Sequence, residues 1–291
     1  MLTAIVQGLL MGSVYGLIAL GLTLIFGIMR VINFAHGALL MISMYISYFS
    51  VTILGLHPYI SLIIVAPVIF ILGFLINHYL IAPVLAKEAD VREPVSALLL
   101  TAGLMILLEN LMLSIGGTDY KTIKVSFGAS LEFADVIIPM DRLYAFFLAF
   151  ISSGLFYWFL MKTEIGRAIR ALGQDRNAAK LMGINSKKIF SIAFGVGMVL
   201  LGVAGVAILP FYSLHPILIN KVFGTLAFVV VVLGGMGSIP GAIIGGLIIG
   251  VVQSVSTLYV SNTMAQVIVF AFFLIFLFIR PSGIFGFKYD S

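Results

Sequence analysis

Long apolar runs with almost no charge recur along nearly the whole chain of 291 residues, and they constrain its fold more than any other feature. An α-helix needs about 20 predominantly apolar residues to cross the hydrocarbon core of a bilayer. Such runs occur at residues 4–28, 38–54, 60–80, 95–115, 143–161, 189–211, 222–233, 242–258 and 264–279. The first run exceeds the apolar core of a signal peptide, so we expect it to remain as a span. We predict an all-α, polytopic transmembrane helix bundle of about eight to ten spans, with residues 1–291 forming a single domain.

The composition excludes several classes of protein. Hydrophobic residues make up 62% of the chain and charged residues only 9%, whereas a soluble domain carries about a quarter of charged residues. Such a chain cannot cover a water-facing surface, which excludes a soluble enzyme, and the same composition excludes disorder. The absence of cysteine and the scatter of four histidines exclude disulfides and cysteine metal sites. We expect no metal, no cofactor and no catalytic residue in this chain.

The basic residues concentrate in one loop between two predicted spans, at 162–188. The loop holds seven of the sixteen, namely Lys162, Arg167, Arg170, Arg176, Lys180, Lys187 and Lys188. Since short loops rich in lysine and arginine stay in the cytoplasm, we place 162–188 inside and the net acidic loop 116–141 outside. Counting spans from these loops puts the N-terminus outside and the C-terminus inside, in a multi-pass membrane protein. The net charge of +5 is then cytoplasmic loop charge, and we expect lipid but no nucleic acid as a partner.

Glycines recur at four-residue spacing within the apolar runs. Gly8, Gly12 and Gly16 share one face of the first run, and Gly246 and Gly250 repeat the spacing near the C-terminus. Small residues at this period let helix backbones approach closely in lipid. The pattern predicts a tightly packed bundle or a subunit interface.

Two short segments interrupt the apolar pattern, at 30–37 and 234–241. Paired interruptions in corresponding halves are typical of transporter pathways with internal repeats and broken helices, and the short run 222–233 would then be a half-helix. Two tight cytoplasmic turns fit the pattern as well. The candidate pathway or hairpin residues here are Asn33, Phe34, His36, Gly37, Gly234, Gly235, Gly237, Pro240 and Gly241. We interpret Asn33 and His36 as partners for exposed backbone, with a proton relay through His36 as the alternative.

Glu109 is the one acid inside a predicted span, and Asn110 follows it. At 1.5 Å per residue it lies about 9 Å below the outer end of that span. An acid at such a depth usually faces a cavity or a partner group. Glu109 is therefore either a polar contact on the outer part of a pathway or one end of a structural hydrogen bond between helices.

The basic loop contains two short amphipathic helices. The apolar stripe Ile165, Ala168, Ile169 and Leu172 has helical spacing, Asp175 is a suitable N-cap, and Ala178, Leu181 and Met182 form a second stripe that ends at Gly183. The helices either rest on the inner membrane face or dock in a groove of a partner protein. The short, alanine-rich stripes lack aromatic anchors, and this favours docking.

Several of these segments resemble a known family. The segments 33–37 (NFAHG), 166–171 (GRAIRA), 233–242 (LGGMGSIPGA) and 280–283 (RPSG) are similar to LivH-type permeases, the membrane subunits of ABC importers for branched-chain amino acids. Ala178, Ala179 and Gly183 are also similar to the general importer coupling loop, although Asn177 stands where that pattern has glutamate. The resemblance spans nearly the whole chain in order.

The resemblance implies a set of partners and roles. Residues 162–188 would be the coupling loop, in which Gly166, Arg167, Arg170, Asp175, Ala178, Ala179 and Gly183 are the candidate ATPase-coupling residues. A second permease, two ATP-binding subunits and an external substrate-binding protein would complete the importer. The chain itself has no phosphate-binding loop, so ATP would be hydrolysed by the partner subunits. Leucine, isoleucine and valine are the implied substrates, and relatives that handle urea and other amides supply the alternative.

Other classes of membrane protein fit the residues less well. A secondary transporter would suit broken helices, but Glu109 alone offers few sites for coupling ions. A channel would need a filter loop or a ring of charges, which the sequence lacks. A membrane enzyme would need a pair of groups such as Glu109 and His36, which the predicted topology places on opposite sides. The amphipathic loop 162–188 favours the ABC permease over all three.

Overall fold

The computed structural model describes residues 1–87, 95–123, 125, 130–133 and 136–286, which form a helical bundle. Its helices are α1 (Leu2–Met29), α2 (His36–Leu54), α3 (Leu62–Leu75), α4 (Ala82–Lys87), α5 (Val95–Gly116), α6 (Met140–Lys162), α7 (Glu164–Gln174), α8 (Arg176–Leu181), α9 (Ser186–Ile208), α10 (Pro216–Ile219), α11 (Thr225–Gly234), α12 (Ile239–Ser256) and α13 (Asn262–Ile279). A short antiparallel hairpin of β1 (Leu131–Phe133) and β2 (Val136–Ile138) lies between α5 and α6.

Nine helical stretches in the described part of the chain are long and apolar enough to cross a membrane, which confirms the predicted polytopic bundle. Two of these stretches are composite. A π-helical segment, Ile76–Ile81, joins α3 to α4, and a second one, Asn220–Gly224, joins α10 to α11. π-helical bulges often mark functional positions in a helix, and the second of these segments contributes to the site described below.

The expectation of a half-helix at 222–233 is wrong. The helix begins at Pro216 and continues to Gly234, which gives 19 residues. The apolar run is shorter than the helix because Asn220 and Lys221 interrupt it. These two polar residues lie inside the span.

Helix α1 is the central helix of the bundle, because it packs against α6, α9, α11 and α12. The predicted glycine contacts hold α1 against α12. A Cβ atom built on Gly12 would lie 2.7 Å from the carbonyl oxygen of Gly246, and one built on Gly8 would lie 2.6 Å from Cα of Val251. The two backbones therefore touch, and neither position has room for a side chain.

The helices divide into an inner and an outer set. Along their most apolar windows α1 is 78% buried and α9 72% buried, whereas α5 and α13 are only 17% and 11% buried. Helix α9 packs against α1, α2, α3 and α6. The outer helices therefore turn long apolar faces to lipid or to another subunit.

The C-terminal end of α5 and the N-terminal end of α10 are held together by backbone pairing between the adjoining segments. Lys121 and Leu214 exchange two backbone hydrogen bonds of 3.0 and 2.8 Å. The ammonium group of Lys121 also lies 5.7 Å from the ring centroid of Tyr48 on α2. This contact places α2, α5 and α10 side by side, which positions the site below.

We predict that Gly12→Ala destabilises the isolated chain in detergent by about 1–3 kcal/mol, the usual cost of overpacking. The methyl group would meet the backbone of α12, which cannot move aside as a side chain could. Thermal unfolding followed by fluorescence would measure the change.

Gly154→Ala on α6 is the matched control, since its Cβ has open space within 4 Å among the described atoms. The control should unfold at an unchanged or slightly higher temperature, because alanine favours the helix over glycine by up to about 1 kcal/mol. Equal stability of both variants would show that α1 and α12 do not depend on close backbone contact.

Candidate functional site

The first interruption is a re-entrant segment rather than a tight turn. Helix α1 ends at Met29, yet the Nε2 atom of His36 donates to the carbonyl of Ile18 over 2.9 Å. Ile18 precedes Met29 by eleven residues, or about 16 Å along the helix axis. Residues 30–35 therefore run back alongside α1, and α2 begins well inside the span.

The re-entrant backbone finds its hydrogen bonds within the protein. The side-chain oxygen of Asn33 accepts from the backbone nitrogen of Ala35 over 3.1 Å. The hydroxyl of Thr101 on α5 accepts from the nitrogen of Phe34 over 3.3 Å. Its single proton is shared between the carbonyl of Leu98 on its own helix, at 3.0 Å, and that of Ile32, at 3.3 Å. These contacts fit the structural role predicted for Asn33, and Thr101 is a partner that the sequence did not reveal.

Gly37, the second residue of α2, lies against the π-helical segment between α10 and α11. A Cβ atom on Gly37 would overlap the side-chain oxygen of Asn220 and would lie 2.8 Å from Cα of Gly224. Asn220 in turn donates through Nδ2 to the Oε1 atom of Glu109 over 2.6 Å. The structure thus brings Gly37 and Glu109 together through Asn220, which the sequence reasoning missed because it began the apolar run at Val222.

This contact corrects the predicted separation of Glu109 and His36. The two were expected on opposite sides of the membrane, but Gly37 next to His36 contacts Asn220, the partner of Glu109. They lie at similar depth because the segment before α2 re-enters the span. The imidazole of His36 nevertheless bonds to α1, whereas the carboxylate of Glu109 bonds to the π-helical segment between α10 and α11. Asn110 turns away from this contact, since its amide donates to the carbonyl of Ile106 on its own helix.

A pair of aromatic rings lies two helical turns beyond Asn220 on the same composite span. The ring of Phe34 packs against the ring of Phe228 on α11, with 5.6 Å between centroids. Phe34 remains 37% exposed. The re-entrant segment therefore fills the crevice between α5 and α11, and one side of this crevice is open.

The second interruption, in contrast, is a tight turn. Gly235 and Gly237 adopt φ values of +101° and +88°, which favour glycine because its missing Cβ removes the steric clash. Ser238 caps α12, accepting from the nitrogen of Gly241 over 3.2 Å, and Pro240 lies in the first turn of that helix. The two interruptions differ in geometry, so the internal repeat stays a hypothesis.

The C-terminal segment closes this turn. The nitrogens of Ile284 and Phe285 donate to the carbonyls of Leu233 and Gly234 over 2.9 and 3.0 Å. A Cβ atom on Gly234 would overlap the backbone of Gly241. The segment that follows α13 thus satisfies the carbonyls left free at the end of α11.

The first helix of the basic loop, α7, packs onto the bundle. The hydroxyl of Thr163 accepts from the nitrogen of Gly166 over 3.0 Å and caps the helix. Gly166, Ile169 and Leu172 are buried, whereas Ile165 is 36% exposed. The predicted stripe is correct at Ile169 and Leu172 and wrong at Ile165, because Gly166 takes the inward position against the backbone of α6. Arg167 and Arg170 point outward, and Arg167 forms an exposed ion pair of 3.7 Å with Glu164.

The second helix, α8, presents an apolar tip to its surroundings. Asp175 accepts from the nitrogens of Asn177 and Ala178 over 2.8 and 3.0 Å, which confirms the predicted N-cap. Ala179 is buried and Ala178 is exposed. The tip itself consists of Leu181 and Met182, which are 89% and 83% exposed, and it ends at Gly183 with φ of +84°. Exposed apolar side chains of this size outside the bundle are typical of surfaces that contact a partner or the membrane face.

Arg176 connects this loop to the central helix. Its Nη2 atom donates to the carbonyl of Ile28 over 2.9 Å, and its guanidinium carbon lies 5.3 Å from the ring centroid of Phe190. Burial, and to a smaller extent the charge of Arg30, lowers the pKa of Arg176 below its ordinary value. In the sequence Arg176 counts only as one of the basic residues that indicate topology, because nothing in its neighbouring residues distinguishes it from the others in the loop.

Comparisons with known proteins agree with this architecture. The family model described as "Branched-chain amino acid transport system / permease component" matches residues 4–277. The chain is 33% identical to the high-affinity branched-chain amino acid transport system permease protein LivH of Salmonella typhimurium, over 96% of this chain and 94% of that protein. It is 31% identical to the corresponding protein BraD of Pseudomonas aeruginosa, over 98% and 95%.

A solved structure shows a similar fold. One chain of PsaBC from Streptococcus pneumoniae, in complex with Fab, superposes with a TM-score of 0.52 at 17% identity, covering 96% of this chain and 92% of that one. At this identity the likeness concerns the fold alone. The family match and the identities over nearly the full length go further: this chain belongs to the family of permease components of branched-chain amino acid transport systems.

Proposed function

We propose that this chain forms the translocation pathway for leucine, isoleucine and valine in an ABC importer and couples that pathway to ATPase subunits. The family match over residues 4–277 is the observation that carries the proposal. The relatives of similar length are named as branched-chain amino acid permeases. An importer of urea or another amide is less favoured because these relatives are named as branched-chain amino acid permeases. A secondary transporter is less favoured because it explains neither this family nor the exposed tip of α8.

The proposed orientation places the N-terminus outside, and the C-terminus and the loop 162–188 in the cytoplasm of a multi-pass inner-membrane protein. The seven basic residues of that loop support this orientation under the positive-inside rule. Nine spans in the described residues are consistent with termini on opposite sides.

The proposed partners are a second permease, two ATP-binding subunits and an external binding protein. The exposed tip of α8, Leu181 and Met182, would insert into a groove of an ATP-binding subunit, as short apolar helix faces do. ATP would be hydrolysed in that subunit. Arg167 and Arg170 would face acidic groups there.

Movement of α8 would reach the pathway through α1. Arg176 fastens the start of α8 to the carbonyl of Ile28, near the end of α1. The same helix holds the re-entrant segment through Ile18 and His36. Displacement of the loop by the ATP-binding subunits would therefore shift the re-entrant segment that lies between α5 and α11.

The test of the whole proposal is uptake by a reconstituted importer. The chain would be purified with its co-encoded permease, ATP-binding subunits and binding protein, and placed in proteoliposomes. We expect uptake of radiolabelled leucine that requires internal ATP and the binding protein. Uptake by this chain alone without ATP would contradict the ABC assignment.

We predict that Leu181→Asp weakens binding of the ATP-binding subunit at least about tenfold, the loss of roughly 1.4 kcal/mol expected at a modest hot spot. The side chain is almost fully exposed, so the exchange should leave the fold intact. Co-purification at a series of subunit concentrations would measure the affinity.

The matched control is Leu54→Asp at the outer end of α2, where leucine is 61% exposed. It adds the same charge on the opposite membrane face and should bind the subunit normally. Normal docking by Leu181→Asp would rule out α8 as the contact.

A bulky residue at Ala179 or Gly183 should also abolish uptake while leaving membrane insertion intact.

We predict that Arg176→Ala separates ATP hydrolysis from transport. The variant should still bind the ATP-binding subunit, because Arg176 turns toward α1 rather than outward. Leucine transported per ATP should fall by about tenfold or more, as expected from the loss of a charged hydrogen bond of roughly 1.5–3 kcal/mol. Lys187→Ala, an exposed lysine at the start of α9, is the control, and an unchanged coupling ratio in Arg176→Ala would contradict the link to α1.

A further inference from the structure

One face of the composite span from α10 to α11 is open and carries charge. Ile217, Lys221 and Thr225 follow one another at four-residue spacing, and all three are exposed. Phe228, which packs against Phe34, continues the same stripe. A lysine within a span is costly in hydrocarbon, so such a face usually borders water or protein.

Lys221 and Glu109 lie at similar depth. Lys221 follows Pro216, the outer end of its helix, by five residues, or about 7 Å along the axis. Glu109 precedes Gly116, the outer end of α5, by seven residues, or about 10 Å. The two helix ends lie next to each other, because the backbone hydrogen bonds between Lys121 and Leu214 join the segment after α5 to the segment before α10.

Neither charge has an ion-pair partner within 4.0 Å among residues 1–87, 95–123 and 136–286. The Oε1 atom of Glu109 accepts from Asn220, and an amide orients a carboxylate without neutralising it. Lys221 is the next residue along the chain. Opposite charges thus flank Asn220 without pairing with each other.

An amino acid in transit carries an ammonium group and a carboxylate group, which are the counter-charges that Glu109 and Lys221 lack. Its ammonium and carboxylate groups lie about 3 Å apart across Cα, and charged hydrogen bonds add about 2.8 Å at each end. A carboxylate and an ammonium group roughly 8–9 Å apart would therefore bind it at both ends. A lysine side chain one residue beyond Asn220 is long enough to provide that spacing from Glu109.

We propose that Glu109 and Lys221 form a zwitterion-binding pair on the outer part of the pathway. Glu109 binds the α-ammonium group, Lys221 binds the carboxylate, and Asn220 orients Glu109. The apolar pair Phe34 and Phe228 then borders the next stage of the path. This inference rests on the proposed function and assigns the recognition of the amino-acid head group to three residues of this chain.

The decisive variants are Glu109→Gln and Lys221→Met in the reconstituted importer. Glutamine keeps an oxygen for Asn220 and removes only the charge, so assembly and thermal unfolding should not change. We expect each variant to lower the initial rate of leucine uptake at least about tenfold, which corresponds to roughly 1.4 kcal/mol. Lys221→Arg should retain more uptake than Lys221→Met, and Ser114→Ala, on the exposed face of α5, is the control.

Two results would overturn the pair. Full uptake by Glu109→Gln would show that Glu109 only holds α5 to the π-helical segment at Asn220. Full uptake by Lys221→Met would show that the lysine merely extends to the outer membrane surface.

Ligand competition separates this inference from the proposed function. Binding of labelled leucine to the detergent-solubilised complex without binding protein should be displaced by leucine at least about tenfold better than by isoamylamine or 4-methylpentanoate, since each lacks one charge. Equal displacement by all three compounds would contradict the pair. Uptake of another zwitterionic amino acid but not of leucine would contradict the branched-chain substrate and support the zwitterion-binding pair. Uptake only of a solute that lacks an ammonium or a carboxylate group would contradict the substrate and the pair alike.

Discussion

A backbone that leaves the helical conformation inside a bilayer must find its hydrogen bonds within the protein, because the surrounding hydrocarbon offers none. The segment before α2 meets this requirement with a few side chains. Thr101 bonds to both Ile32 and Phe34, and Asn33 bonds to Ala35. His36 then fastens the beginning of α2 to the carbonyl of Ile18. These bonds allow an irregular segment to lie at membrane depth, where it can border a pathway.

Helix α1 carries this segment and connects it with the basic loop 162–188. Its glycine face touches the backbone of α12, so the two helices would move as one unit. Its C-terminal end receives Arg176 from the loop. A helix that contacts the loop 162–188 at one point and the re-entrant segment at another connects the two directly. No other described helix receives both His36 and Arg176 as hydrogen-bond donors.

Much of this architecture could be predicted because lipid imposes simple rules on sequence. The apolar runs coincided with the nine candidate spans of the described residues, although 222–233 was expected to be only a half-helix. The glycine spacing predicted close contacts without saying that α1 and α12 meet, and Asp175 was correctly identified as a cap. The errors arose where a polar residue belongs to a span. Asn220 and Lys221 shortened the apparent run, and the loop before His36 looked like a turn although it re-enters. Periodicity describes one helix at a time and contains no information about which polar group faces which.

The sequence by itself determined the class of the protein, a range of eight to ten spans, the charge asymmetry of the loops and the resemblance to the family. These follow from local composition and from motifs that are contiguous in the chain. Only the tertiary structure decided that Gly37, Glu109 and Asn220 meet, that Ile165 turns outward while Gly166 is buried, and that Arg176 reaches Ile28. Each of these contacts joins segments that are far apart in the chain or depends on how a helix is rotated against its neighbour. That rotation is set by the packing of the whole bundle, since in lipid the fit between helix surfaces, rather than burial from water, chooses the partners.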